Sequence, residues 1–237
     1  MVGFRPKIAL LLKTIYAALH MTLLQKMRCL FTFGQGVTLP LPPIPENSDP
    51  IPLFSQWFDE ANQSGLLLPE AVSVSSCSAD GQPSSRMVLL KSFDEKGFVF
   101  FTNYGSRKSQ ELAENSKVAL LFHWNVLQRQ VRIEGTVEKV TTQASADYFH
   151  SRDRGSQIGA WASKQSTKLS HDNELIERMA HFQKEYDEGE VPHPEFWGGW
   201  CVKPQYIEFW QGRTSRLHDR LCFDKQDDEW TQHKLHP

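Results

Sequence analysis

Apolar side chains recur at helical spacing in Leu53, Phe54, Trp57, Phe58 and Ala61 until Gly65 interrupts them, which predicts a helix with one buried face. Asp49 is placed to cap that helix, and Pro50 falls in its first turn, where a missing N–H costs nothing. The pattern then changes to short strand-forming runs at 71–78, 84–93 and 98–102, separated by Asp80-Gly81 and by the turn at 94–97. These read as an antiparallel meander. A short helix at 107–114 precedes two more strands, 117–124 and 128–140, with no room between them for a crossover helix. Helical patterns follow at 142–152 and 171–188, and strands return at 199–202, 205–210, 217–223 and 230–234. No internal repeat is present. The expected fold class is α+β, an antiparallel barrel with peripheral helices.

The first 48 residues behave differently. Residues 8–24 are apolar but interrupted by Lys13 and His20, which leaves too short an apolar run for a membrane span. Residues 1–45 hold five Lys or Arg and no Asp or Glu, and a Pro-rich stretch covers 39–52. Two readings stay open for this leader: a mitochondrial targeting segment, or an unstructured or alternatively spliced extension joined by a linker to the folded body. The body is expected to run from residue 49 to 237 as one domain, in a cytoplasmic protein. A net charge of −2 excludes a general nucleic-acid binder. Four scattered cysteines and nine histidines form no metal-ligand spacing, so no metal is expected.

Candidate chemistry lies in basic clusters. Alternation in the run 84–93 puts Arg86 on one face and Lys91 on the other, each among apolar neighbours; a solvated strand-end cation is the plain alternative. Ser106, Arg107 and Lys108 open the helix at 107–114, where free N–H groups attract phosphate. Tyr148, Arg152 and Ser156 stand at i, i+4 and i+8, a set suited to a phosphate monoester if one helix carries all three. The rival reading pairs Arg152 with Asp147 or Asp153. Arg216, His218 and Arg220 alternate along an expected strand and so share a face near Trp210, where either an anionic aromatic ligand or plain solvent meets them. Gln130, Gln165 and Ser166 add neutral donors and acceptors.

The stretches S-R-M-V-L-L-K (85–91), F-F-T-N-Y-x-S-R-K (100–108), R-Q-V-R-I-E-G (129–135), Y-F-x-S-R (148–152), S-Q-I-G-A-W-A-S-K-Q-S (156–166), E-F-W-Q-G (208–212) and R-L-H-D-R (216–220) occur in one order. In that order the chain resembles the pyridoxamine 5′-phosphate oxidase family across about three quarters of its length. The resemblance implies a homodimeric split-barrel flavoprotein with FMN held non-covalently at the subunit interface. It implies FMN contacts from Arg86, Met87, Val88, Leu89, Phe101, Thr102, Arg107, Lys108, Gln130, Gln165, Ser166, Trp210 and Arg220. Substrate contacts would come from Lys91, Tyr148, Arg152, Ser156, Arg216 and His218, the last two also as the catalytic pair. The implied reaction oxidises pyridoxamine or pyridoxine 5′-phosphate to pyridoxal 5′-phosphate, with O2 as acceptor and H2O2 as product. The alternative from another class is a split-barrel flavin-binding protein without turnover. Two departures from the family pattern stand out: residues 1–48 hold no clear equivalent of its basic, tyrosine-containing lid segment, and the chain ends Lys234-Leu235-His236-Pro237 where the family has Arg-Leu-x-Pro.

Overall fold

A computed structural model describes residues 43–45 and 48–237. The expectations for 8–24, and for most of the 1–48 leader, lie outside the described residues. Five helices are described: α1 (Pro50–Gln63), α2 (Arg107–Glu114), α3 (Thr142–Ser151), α4 (Arg154–Ala162) and α5 (Glu174–Glu185). The nine described strands are β1 (Ala71–Cys77), β2 (Pro83–Leu89), β3 (Ser92–Asp94), β4 (Gly97–Asn103), β5 (Lys117–Trp124), β6 (Arg129–Lys139), β7 (Trp197–Gln211), β8 (Asp219–Gln226) and β9 (Glu229–Lys234). They form one sheet in the order β2-β1-β5-β6-β7-β4-β3, with β8 pairing β7 and β9. β1 runs antiparallel to β2 and β5, β4 to β3 and β7, and β8 to β9. Among the described residues no helix is long and apolar enough to cross a membrane.

The chain divides into two compact units. One comprises the described part of Met1–Glu70 with Phe122–Val131 and Glu208–Pro237. Here α1 starts as its sequence requires, with the Asp49 carboxylate accepting the Ile51 amide at 3.2 Å. Its buried face carries Phe54, Trp57 and Ala61. Phe54 meets Phe122 edge-on at 5.1 Å, Trp57 meets Phe209 at 5.2 Å, and Phe209 meets Phe223 at 5.8 Å. Arg129 is buried 4.3 Å over the Trp57 ring and is neutralised by Glu60, with Gln211 accepting from its Nε at 3.0 Å.

The other unit comprises Ala71–Leu121 and Arg132–Ile207. In β1 the inward positions Val72 and Val74 alternate with half-exposed serines, and the register sets Val74 opposite Arg86 and Ser76 opposite Ser84. Gly135 on β6 allows close backbone approach, since a Cβ there would stand 1.9 Å from the Lys203 carbonyl oxygen. A separate apolar cluster of Phe149, Ile158, Val191 and Trp197 ties α3 and α4 to the start of β7.

Four boundaries differ from the sequence pattern, each for a local reason. The run 84–93 is two strands, β2 and β3, because pairing with β1 stops at Leu89 and the Lys91 amide turns to the Val99 carbonyl at 2.8 Å. The segments 199–202 and 205–210 are one strand, β7, which passes through Pro204. The helix carrying Tyr148 does not continue to Ser156. Arg152 is extended (φ −77°, ψ 154°), and Asp153 caps a new helix. Finally, Arg216, His218 and Arg220 do not alternate along a strand. Thr214–Arg216 form a 3-10 turn with Ser215 and Arg216 at φ 56° and 62°, and β8 begins only at Asp219. Period-two facing presupposes extended backbone, and two consecutive left-handed residues abolish it.

Candidate active site

A cavity of about 980 Å³ opens in the Ala71–Leu121 and Arg132–Ile207 unit. β2 lines it with Arg86, Met87, Val88 and Leu89, followed by Lys91; β4 and α2 add Phe101, Thr102, Arg107 and Lys108. Tyr148, Arg152, Ser156, Gln165 and Ser166 complete the set of lining residues singled out by the sequence. Asn103, Ser151, Asp153 and Trp197 also line it.

One end is organised by the first turn of α2. Lys108 is buried, and its ammonium donates to Thr102 Oγ1 at 2.7 Å, Gln165 Oε1 at 2.9 Å and Ser106 Oγ at 3.2 Å. Burial, and then the charge of Arg86, pushes its pKa down to about 8. One helical turn later Glu111 is almost fully enclosed. Its carboxylate accepts from Ser76 and Ser84 hydroxyls at 2.5 Å each, from Arg107 Nε at 2.7 Å and from Arg86 Nη2 at 3.2 Å. Burial raises the Glu111 pKa, but these four donors outweigh it and hold the group at about 2. Ser166, next to Gln165, sits in the left-handed region at φ 71°, a conformation that a non-glycine residue adopts at some cost.

The other end is aromatic and cationic. Tyr148 stacks on Phe101 at 4.0 Å, and Phe101 on Trp197 at 5.5 Å. The Arg152 guanidinium lies 4.8 Å from the Trp197 ring centroid, and its Nη1 is buried with no hydrogen-bond partner among the described residues. A buried donor left in that state costs about 1–3 kcal/mol. Burial pushes the Arg152 pKa down, against Tyr148 and Asp153, which raise it. The rival pairing of Arg152 with Asp153 leaves Nη1 unused: Asp153 caps α4, accepting the Ser156 amide at 2.9 Å and the Ser156 hydroxyl at 2.6 Å.

Gln130, Trp210, Arg216, His218 and Arg220 are not among the cavity's lining residues; they belong to the unit that contains α1. Arg220 forms a two-pronged ion pair with buried Glu208 at 2.6 and 3.0 Å and donates to the His236 carbonyl at 3.0 Å. His218 packs 4.5 Å from the Trp210 ring, and its Nδ1 accepts the Arg213 amide at 3.2 Å. That bond assigns the neutral ring's proton to Nε2. Arg213 itself pairs with Asp219 at 2.5 Å. Sequence reasoning missed Glu111, Trp197 and the capping role of Asp153. Glu111 carried a signal in its i,i+4 spacing from Arg107 on an expected helix; Trp197 carried none.

Comparison with known proteins settles the family. A family model described as pyridoxamine 5′-phosphate oxidase matches residues 58–181, and one described as the pyridoxine 5′-phosphate oxidase C-terminal dimerisation region matches 197–237. The chain belongs to the pyridoxamine 5′-phosphate oxidase family. A pyridoxine/pyridoxamine 5′-phosphate oxidase of Colwellia psychrerythraea is 74% identical over 217 residues, covering 92% of this chain and 100% of the relative. Another, from Psychromonas ingrahamii, is 52% identical with the same coverage. Among solved structures, PhzG from Burkholderia lata 383, in complex with tetrahydrophenazine-1-carboxylic acid, has a TM-score of 0.80 at 26% identity over 86% of this chain and 100% of its own. An FMN-binding protein of Nostoc punctiforme, related to the same oxidases, has a TM-score of 0.65 at 13% identity over 81% of this chain and 100% of its own, a likeness of fold alone. The fold is therefore the family's antiparallel split barrel with peripheral helices; the sequence pattern led one to expect the antiparallel barrel and its helices, and the family resemblance the split barrel. Within the family matches, the cavity residues from Arg86 to Ser166 fall in the first region, and Trp197, Trp210, Arg216, His218 and Arg220 fall in the dimerisation region.

Proposed function

We propose that this chain is an FMN-dependent oxidase that converts pyridoxamine or pyridoxine 5′-phosphate to pyridoxal 5′-phosphate, with O2 as acceptor and H2O2 as product. The observation that carries the reading is one cavity lined by two cationic clusters, one of which keeps a buried guanidinium nitrogen with no partner among the described residues. Both FMN and a phosphorylated B6 vitamer bear a phosphate, and each needs its own cup of cations and hydroxyls. High identity to relatives bearing this enzyme name supports the same assignment.

Arg86, Arg107, Lys108, Thr102, Gln165 and Ser166 fit the flavin phosphate end. Their donors are held in place by Glu111 and by one another, and the first turn of α2 adds its own N–H groups. Met87, Val88, Leu89 and Phe101 offer the apolar wall an isoalloxazine ring needs. FMN held by these residues would supply the redox chemistry, as a hydride acceptor that O2 can reoxidise. Lys91, Tyr148, Arg152 and Ser156 hold the substrate phosphate, so that binding energy far from the reacting carbon aligns it. Arg216 and His218 bind over the pyridine ring, with His218 Nε2–H available as a donor and Arg213 fixing the ring through Nδ1. Because Gln130, Trp210, Arg216, His218 and Arg220 lie outside the cavity lining, the reading takes them from a second copy of the chain, with the flavin at the interface of a homodimer.

The test is purification, a visible spectrum and an oxygen-dependent assay with pyridoxamine 5′-phosphate. A flavin absorbance and one H2O2 per pyridoxal 5′-phosphate are expected. A protein with neither bound nor reconstitutable FMN refutes the assignment, and one that binds flavin but oxidises neither vitamer is a flavin-binding protein instead.

A further inference from the structure

The substrate end of the cavity contains a carboxylate that the proposed reaction leaves without a role. Asp153 lines the cavity beside Arg152, where the other polar groups are the donors expected of a phosphate cup. Its two oxygens do different things. Oδ1 accepts the Ser156 amide at 2.9 Å and so caps α4, while Oδ2 takes the Ser156 hydroxyl proton at 2.6 Å. A serine hydroxyl has one proton to give. A phosphoryl oxygen entering this end obtains the Ser156 donor only if Asp153 yields it, and meets the negative charge of Asp153 as it does so.

We propose that Asp153 sets the affinity of this end for phosphate monoesters by competing with the ligand for the Ser156 hydroxyl proton, so that a phosphorylated product is held loosely enough to leave. The inference rests on the assignment of this end to the substrate phosphate. The cost of the competition falls on substrate and product alike, because the phosphate does not change in the reaction. Arg152, whose Nη1 has no partner among the described residues, supplies the attraction against which Asp153 works.

Capping and competition separate chemically. In D153N the side-chain carbonyl still accepts the Ser156 amide, whereas the amide nitrogen cannot accept the hydroxyl proton, so the cap survives and Ser156 is freed. The experiment titrates FMN-reconstituted protein with pyridoxal 5′-phosphate, and with pyridoxal as the ligand lacking a phosphate. D153N is expected to bind pyridoxal 5′-phosphate about tenfold more tightly, the weight of one hydrogen bond to a charged group, with pyridoxal unmoved. KM for pyridoxamine 5′-phosphate falls with it, and kcat stays level or drops as the product leaves more slowly. In an S156A background the gain from D153N should shrink to what removal of the charge alone gives, since no proton is left to contest. D153S, whose hydroxyl also caps a helix, repeats the measurement without the carboxylate if D153N proves unstable.

Unchanged or weaker pyridoxal 5′-phosphate binding in the folded variants overturns the proposal, and so does an undiminished gain in the S156A background, which would make the effect one of bulk charge. If wild-type protein binds no pyridoxal 5′-phosphate, the assignment of the cavity fails and takes this inference with it. A wild type that binds normally, beside variants that do not differ from it, removes only the role of Asp153.

Discussion

At one end of the cavity Lys108 donates to three oxygen acceptors, and Arg86 and Arg107 share the Glu111 carboxylate. At the other end Arg152 Nη1 is buried with no partner among the described residues, and the Ser156 hydroxyl is committed to Asp153. The first end is satisfied from within. Its shape is set before any ligand arrives, which reduces the ordering cost of binding and suits a group that stays. The second end holds an unmet donor whose cost, about 1–3 kcal/mol, is recovered when an anion binds. That suits a ligand that arrives, reacts and departs.

The largest expected effect breaks the second end. Arg152→Ala should raise KM for pyridoxamine 5′-phosphate by about two to three orders of magnitude, the usual result of removing one partner of a buried charged contact, while FMN affinity measured by fluorescence quenching stays within about threefold of wild type. Equal loss of flavin would merge the two ends into one site. R152K should recover only part of the loss, since an ammonium cannot reproduce the guanidinium fork.

The next prediction concerns the first end and its buried carboxylate. Glu111 has a folded pKa of about 2 against an ordinary value of 4.5. Its ionised form is thus favoured by folding: the contribution is complete above about pH 4.5 and is lost as pH falls through 2. By the free energy per pKa unit this amounts to roughly 3 kcal/mol. Urea denaturation between pH 6 and 2.5 should show E111Q less stable at the upper limit, with the difference closing towards the lower one. A gap that stays constant with pH would mean that Glu111 acts by packing alone.

The smallest effect separates charge from shape at Lys108. With its pKa at about 8 in the free protein, FMN affinity should be level between about pH 7 and 8 and then weaken by up to about tenfold per pH unit, as the neutral amine must be reprotonated to meet the phosphate. The unliganded protein moves the other way. Because the folded pKa lies below the unfolded one, this group's penalty is fully present below pH 8 and is relieved as pH rises from about 8 to 10.5. K108M should bind FMN more weakly and lose the slope above pH 8; a slope that survives assigns it to another group.

How far the sequence reaches differs along these same residues. Asp49, Pro50 and the spacing from Leu53 to Ala61 act within one or two turns, and α1 forms where they place it. Arg107 and Lys108 were legible for the same reason, since the start of a helix is a local event. Tyr148, Arg152 and Ser156 line one cavity, but not by the route their spacing implied: the chain breaks at Arg152 and restarts under the Asp153 cap. A cap competes with helix continuation by a margin too small for periodicity alone to resolve.

The chain by itself determined the alternation of β1, the limits of α2 and β5, and which residue types are available for anion binding, because the 3.6 and 2.0 periods and the caps are properties of neighbours in sequence. Only the tertiary structure decided which of those groups have partners. Glu111 meets Ser76 and Ser84 through strand register, Gln165 meets Lys108 across an interval of 57 residues, and Arg216 leaves the strand its pattern predicted through two left-handed residues. Hydrogen bonds and charges act over a few ångströms, whereas the pairing that brings such groups within reach spans tens of residues.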